Sequence, residues 1–394
     1  MDTEDAGIYF DHHASTAVDD RVVAEMEDAF DEVYANPASR TNHQAGQEAH
    51  GAVSEARERI VDAIGATRTE EVVFTSGATE SDNLALKGVM REARDNGDGS
   101  HLITAATEHE AVLEACDALK WEGFDVTVLP VDEYGRVNPS DLRAAIRDET
   151  VLVSIMAANN EVGTVAPLAE IGEITTEEGV LFHTDAVQAV GYVELDVDEL
   201  GIDLMSISGH KIYGPKGVGA LYVRYGSAHL KPMFHGGGHE RGWRSGTLNV
   251  PGIVGLGKAV ELAEAEREDR VAHIGKLRDE FERRLCEEVD DIAVNGHPEH
   301  RLPNNLNVSF VGADDQRLVA RLNDDGLYAA TGSACSTMET RESHVLTAML
   351  DDENRIQSSV RFGLGKDNSE EDVTRAVEII TSNVGRLRQF GGLS

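Results

Sequence analysis

The sequence predicts an α/β protein: a mostly parallel sheet covered by helices on both faces, followed by a smaller α+β unit. Three observations predict it. Short apolar runs recur between residues 72 and 223 and alternate with amphipathic stretches, the pattern of strands joined by crossover helices. No Pro/Ser-rich linker, repeat or low-complexity tract interrupts them. After about residue 260 the alternation gives way to long charged helical patterns and isolated strands, which marks a second unit.

The apolar runs at 72–74, 102–103, 126–129, 151–155, 180–182 and 204–207 are nearly continuous in Val, Leu, Ile and Phe, as strands buried on both faces require. A seventh, 218–223, follows too closely for a helical crossover and is expected to return antiparallel. Beyond it the sequence predicts one long charged helix at roughly 253–289, a strand at 305–310 and helices near 366–390. The large unit is placed at 16–260, and the small one at 1–15 with 261–394.

At 394 residues the chain can bury a large core, and its 41 % hydrophobic share is that of a globular protein. It lacks a run of about eighteen apolar residues, and its acidic start, Met1-Asp2-Thr3-Glu4-Asp5, is unlike a basic signal peptide, so a cytoplasmic protein is expected. The formal charge of −37 excludes a general surface for nucleic acid or anionic membrane. Acidic residues cluster within amphipathic segments such as 261–269, a pattern that resembles proteins of salt-loving microbes, where strong salt screens self-repulsion. Three cysteines are an odd number without metal-ligand spacing, which argues against a disulfide framework. Cys116 and Cys286 fall in helical patterns and read as buried, inert hydrophobes. Cys335 sits among small polar residues in Thr331-Gly332-Ser333-Ala334-Cys335-Ser336 and reads as a nucleophile on an exposed loop.

Ser206-Ile207-Ser208-Gly209-His210-Lys211-Ile212-Tyr213-Gly214 places one lysine just after a strand among small residues. A partly buried amine loses its proton more readily and can form a Schiff base with a carbonyl cofactor. Ser76-Gly77-Ala78-Thr79 leads from a strand into a helix, where backbone N–H groups and a hydroxyl converge on a phosphate; an ordinary helix cap is the alternative. His183-Thr184-Asp185 ends a strand with a carboxylate at the open end of the sheet, where an acid can keep a pyridine nitrogen protonated. A metal site there lacks a third ligand at recognisable spacing. The 209–216 stretch is not a nucleotide P-loop, because Pro215 stands where the lysine is required. The 236–247 stretch is a glycine-rich loop with hydroxyls and arginines, and a flexible surface loop is the alternative.

Taken together these segments, with Asn36-Pro37-Ala38-Ser39, Thr107-Glu108-His109 and Asn159-Asn160-Glu161, resemble the pyridoxal 5′-phosphate-dependent cysteine desulfurases of iron–sulfur cluster assembly, within the class V aminotransferase-like group. The resemblance implies a PLP type I fold, with a large domain built on a mostly parallel seven-stranded sheet and a smaller α+β domain carrying the catalytic cysteine loop, assembled as a homodimer. It implies Lys211 as the Schiff-base lysine, Asp185 as the pyridinium partner, Gln188 as donor to the ring hydroxyl, Asn160 as a further ring and substrate contact, and His109 as the stacking, proton-transferring histidine. Ala78, Thr79, Ser208 and His210 match phosphate contacts, and Thr247 one from the neighbouring subunit. Arg361 matches the clamp on the substrate carboxylate. Cys335 matches the persulfide-forming cysteine and a transient shared iron–sulfur ligand, with no intrinsic metal site.

The implied reaction turns L-cysteine into L-alanine and passes sulfur through Cys335 to an acceptor protein for cluster assembly or tRNA thiolation. A class V aminotransferase or selenocysteine lyase would need Lys211 but not the cysteine loop, and a non-enzymatic PLP-binding scaffold would need neither. The chain stops soon after Phe390, short of the extension that docks a cluster scaffold in better-known bacterial relatives, so the acceptor is left open.

Overall fold

The computed structural model describes residues 7–332 and 342–391. Thirteen strands occur among these residues: β1 (Ile8–Tyr9), β2 (Val72–Thr75), β3 (His101–Ala105), β4 (Asp125–Leu129), β5 (Thr150–Ser154), β6 (Leu181–Asp185), β7 (Leu204–Ser208), β8 (Gly219–Val223), β9 (Ile292–Asn295), β10 (Asn305–Phe310), β11 (Leu327–Tyr328), β12 (Ala330–Thr331) and β13 (Ser359–Gly363). A seven-stranded sheet runs β2-β8-β7-β6-β5-β3-β4. β8 is antiparallel to both neighbours, and every other pair is parallel. Each of the seven apolar runs became a strand of this sheet, and the short connection before β8 forced the expected reversal.

Alternate residues of these strands feed two separate apolar layers, which is why the runs are continuous and not alternating. Val73, Leu102, Leu152, Leu204 and Leu221 pack against Leu84, Leu86, Val112 and Leu119 from the helices Ala78–Asn96 and Glu110–Trp121. Their neighbours Phe74, Ile103, Val153, Met205 and Tyr222 face the layer of the helices Gln44–Ala63, Leu168–Glu178 and Val250–Ala265. That second layer continues without a break into Phe281, Phe310 and Phe362, so the large sheet and the C-terminal elements share one core. The latter are a four-stranded antiparallel sheet, β12-β13-β10-β9, and a parallel pair of β1 with β11.

Two expectations are corrected. The long helix is two, Val250–Ala265 and Arg267–Glu288, broken at Glu266, whose backbone leaves the helical region and whose carboxylate bonds Arg21 and Arg270. Cys286 is exposed on the second of these helices, while Cys116 is buried as expected. No helix among the described residues is long and apolar enough to cross a membrane.

Candidate active site at the carboxyl ends of the parallel strands

Parallel strands leave their carboxyl ends open to ligands, and here several end in polar residues. β6 ends at Asp185 and β7 at Ser208, and the turn after β7 carries His210 and Lys211. β2 leads through Ser76 to Gly77, which caps the helix Ala78–Asn96 at a φ of 148°. His109 caps the helix Glu110–Trp121, its Nδ1 accepting from the Ala111 N–H at 3.1 Å. These residues surround a cavity of about 470 Å³, which Asn160 and Gln188 also line. Larger clefts of about 640 Å³ and about 760 Å³ lie elsewhere, and neither reaches the strand ends, so size does not mark the chemistry here.

Lys211 Nζ donates to the backbone carbonyls of His13 and Ala14, the latter at 2.9 Å. Asp185 is 6 % exposed and accepts the Val187 N–H at 2.9 Å. Burial raises its pKa, against the pull of His109, the Val187 N–H and Lys211. Behind it, away from solvent, lie Asp82 and Glu108, both pushed well above the carboxylate range by burial and by Asp185 itself. Three carboxylates cannot all ionise in a dry interior, so the charge belongs on Asp185, which faces the cations. His183, pushed down to about 3 by burial, is a neutral bridge between Ser154 and Ser206. His210 is pushed down to about 4 by burial and by Lys211 and Lys216.

Of the sequence-predicted residues, Ala78, Thr79, His109, Asn160, Asp185, Gln188, Ser208, His210 and Lys211 all line the cavity. Arg361 does not: it is 1 % exposed on β13, donating to Asp11 at 2.8 Å and to the Asn160 carbonyl at 3.2 Å, one residue behind the wall. Thr247 is exposed on the glycine-rich loop, outside the cavity of its own chain. Cys335 lies outside the described residues. Sequence reasoning missed Asp82, His13 and the Glu108 carboxylate, and only the His12-His13 doublet offered a visible signal.

The sequence profile of the family described as aminotransferase class-V matches residues 8–376. The chain belongs to that family. It is 48 % identical over 394 residues to the cysteine desulfurase IscS of Methanosarcina thermophila, covering 100 % of this chain and 96 % of the relative. The corresponding enzyme of Dictyoglomus turgidum is 44 % identical over 381 residues, 97 % of this chain and 95 % of that one. Among solved structures, a NifS-like protein superposes with a TM-score of 0.89 at 39 % identity, covering 96 % of this chain and 100 % of its own. SspA in complex with cysteine gives 0.79 at 38 % identity, covering 91 % and 98 %.

The family uses pyridoxal 5′-phosphate, and the cavity fits it. The helix Ala78–Asn96 has no side-chain cap hydrogen bond at its N-terminus, which leaves an anion-binding end beside Thr79, Ser208 and His210. Lys211 supplies an amine and Asp185 a buried carboxylate in the same space.

Proposed function

We propose that this cavity runs the cysteine desulfurase reaction, taking L-cysteine to L-alanine and leaving the sulfur on Cys335. The convergence of Lys211 and Asp185 beside an uncapped helix N-terminus carries the reading. Bound pyridoxal 5′-phosphate supplies an electron sink. Ala78, Thr79, Ser208 and His210 would hold its phosphate, and Asp185 would supply the negative charge that keeps its ring nitrogen protonated. Gln188 and Asn160 would orient the ring, and His109 would cover it. The Lys211 amine anchors the group, then takes and returns the proton at the substrate Cα. Arg361, bonded to the Asn160 carbonyl behind the cavity wall, is the guanidinium assigned to the substrate carboxylate.

The Cys335 thiolate attacks the substrate sulfur, so one C–S bond breaks, one S–S bond forms, and a proton completes alanine. No external oxidant or reductant is needed. The dimer would complete each site with Thr247 of the other subunit, and residues 16–260 would form the large domain, with 1–15 and 261–394 the small one. A protein acceptor in the cytoplasm would take the persulfide sulfur. Incubation with L-cysteine, reading alanine and sulfide together in the presence of a thiol, tests the reading. Equal amounts of both support it, and transamination products without sulfide overturn it.

A further inference from the structure

His13 plays no part in the reaction as read above, yet it touches two residues that do. Its ring is 1 % exposed, and Nδ1 lies 2.8 Å from Gln188 Oε1. Gln188 Nε2 donates to the His13 carbonyl at 3.1 Å, and the same carbonyl accepts from Lys211 Nζ. A backbone carbonyl only accepts, so the atom of Gln188 that meets it is the amide nitrogen, which leaves Oε1 as an acceptor. That oxygen needs a donor, so Nδ1 of His13 carries the proton. Burial, with Arg361, Lys211 and His12 nearby, pushes the imidazole down to about 3, so the ring is neutral and Nε2 is a bare lone pair. Nε2 has no hydrogen-bond partner among the described residues, so nothing competes for the opposite tautomer.

We propose that His13 is a positioning residue that grips the Gln188 carboxamide at both ends, so that the remaining N–H of Gln188 faces the cavity in one orientation only. The inference rests on the reading of Gln188 as a donor to the cofactor's ring oxygen. An unheld carboxamide flips and presents its carbonyl as readily as its N–H. Against a ring oxygen bearing negative charge the flipped form repels, and the two-point grip removes it. The shared His13 carbonyl also sets Gln188 and the Lys211 amine in one fixed relation before the cofactor arrives.

Three variants of the holoprotein test this through the visible absorbance of the bound pyridoxal group titrated with pH. His13→Leu removes the grip, His13→Asn restores an N–H near the place of Nδ1, and His13→Gln puts its amide near the place of Nε2. A donor on the ring oxygen draws off charge that otherwise holds the proton of the lysine–cofactor linkage, so losing it raises the apparent pKa. The Leu and Gln variants should titrate about half a unit to one unit higher, the worth of one hydrogen bond, and the Asn variant like the parent. A Leu variant that binds cofactor and titrates as the parent overturns the proposal, as does an Asn variant that behaves like Leu. Histidine ¹⁵N NMR of the parent apoprotein gives a second measurement that needs no variant. It should show the Nδ1–H tautomer for His13 from about pH 6 to pH 8, and the Nε2–H tautomer overturns the proposal. A parent that acquires no chromophore at all refutes the assigned reaction, and the apoprotein tautomer then decides the role of His13 by itself.

Discussion

The Lys211 amine is met by two carbonyls of the 8–16 segment and sits in a turn outside the sheet, so under the proposed reaction its removal would take away the cofactor's anchor and the proton carrier and leave the strands in place. Lys211→Ala should remain folded and lose alanine formation by about 10³-fold or more, read by single-turnover assay. Cys335→Ser should still bind cofactor and L-cysteine but carry no labelled sulfur, because a hydroxyl cannot store a persulfide; mass spectrometry that finds the sulfur on Cys116 or Cys286 instead would sink the assignment. Asp82 is a different kind of residue, buried at 0 % with the Ser206 hydroxyl beside it and His183 Nε2 3.7 Å away. Its folded pKa is raised above the ordinary 3.8, so the unfolded chain releases that proton where the folded chain keeps it. Stability therefore falls as pH rises above 3.8. Asp82→Asn has no proton to keep, and its melting temperature relative to the parent should climb from about pH 5 to about pH 8. A difference that stays constant with pH would mean Asp82 is ionised in the folded protein. Lys211 and Asp185 were legible because each ends a strand pattern in an unusual residue. Asp82 was not, since a carboxylate in a helix pattern reads as a solvated face until its helix is seen packed on the sheet.

At the scale of elements, the site depends on how closely β8 can approach the Gly77 turn, which under the proposed reaction would hold the cofactor's phosphate. A Cβ on Gly219 would lie 2.5 Å from the Ile207 carbonyl oxygen and 2.7 Å from Gly77 Cα, both backbone atoms that cannot swing away. Gly219→Ala should therefore push β8 from β7 and from the Gly77 turn, costing about 1–3 kcal/mol of stability and weakening cofactor binding as well. Gly51, mid-helix with nothing within 4 Å of a Cβ, is the contrast: Gly51→Ala should stabilise by about 0.5–1 kcal/mol and leave binding alone. Thermal melts with and without pyridoxal 5′-phosphate check both, and equal behaviour of the two variants would show that the close approach is not what matters. The strands were readable because burial on both faces writes them as apolar runs, and β8's direction because the ten residues between Ser208 and Gly219 are too few for a helical crossover. The break at Glu266 was hidden. Charged helical periodicity runs straight through it, and what interrupts the helix is a pair of arginines, Arg21 and Arg270, of which the first is far away in sequence.

Across the whole molecule, 72 acidic residues face 35 Lys and Arg, an excess of 37 that no arrangement of ion pairs can neutralise. The basic residues are heavily engaged: Arg59 reaches Glu25, Glu55 and Glu261, and Arg283 bridges Glu280 and Glu287. Salt acts on both populations in opposite senses, weakening these pairs and relieving the repulsion among the unpaired carboxylates. Exposed pairs contribute only about 0–1 kcal/mol each, and they are short-range. The excess repels over distances that a Debye length of about 10 Å at 0.1 M leaves open and about 3 Å at 1 M closes. Relief of repulsion should therefore win, and we expect the melting temperature to rise steadily from dilute to molar potassium chloride. The rise should be accompanied by recovery of the cofactor's visible band, since the cavity is assembled from the ends of several strands and exists only in the folded chain. Potassium chloride is the right salt for the measurement because strongly excluded salts such as sulfate stabilise most folded proteins regardless of charge. A melting temperature that is flat across that range would show that the acidic surface is compensated locally, by pairs like those of Arg59, and that net charge does not limit the stability of this fold.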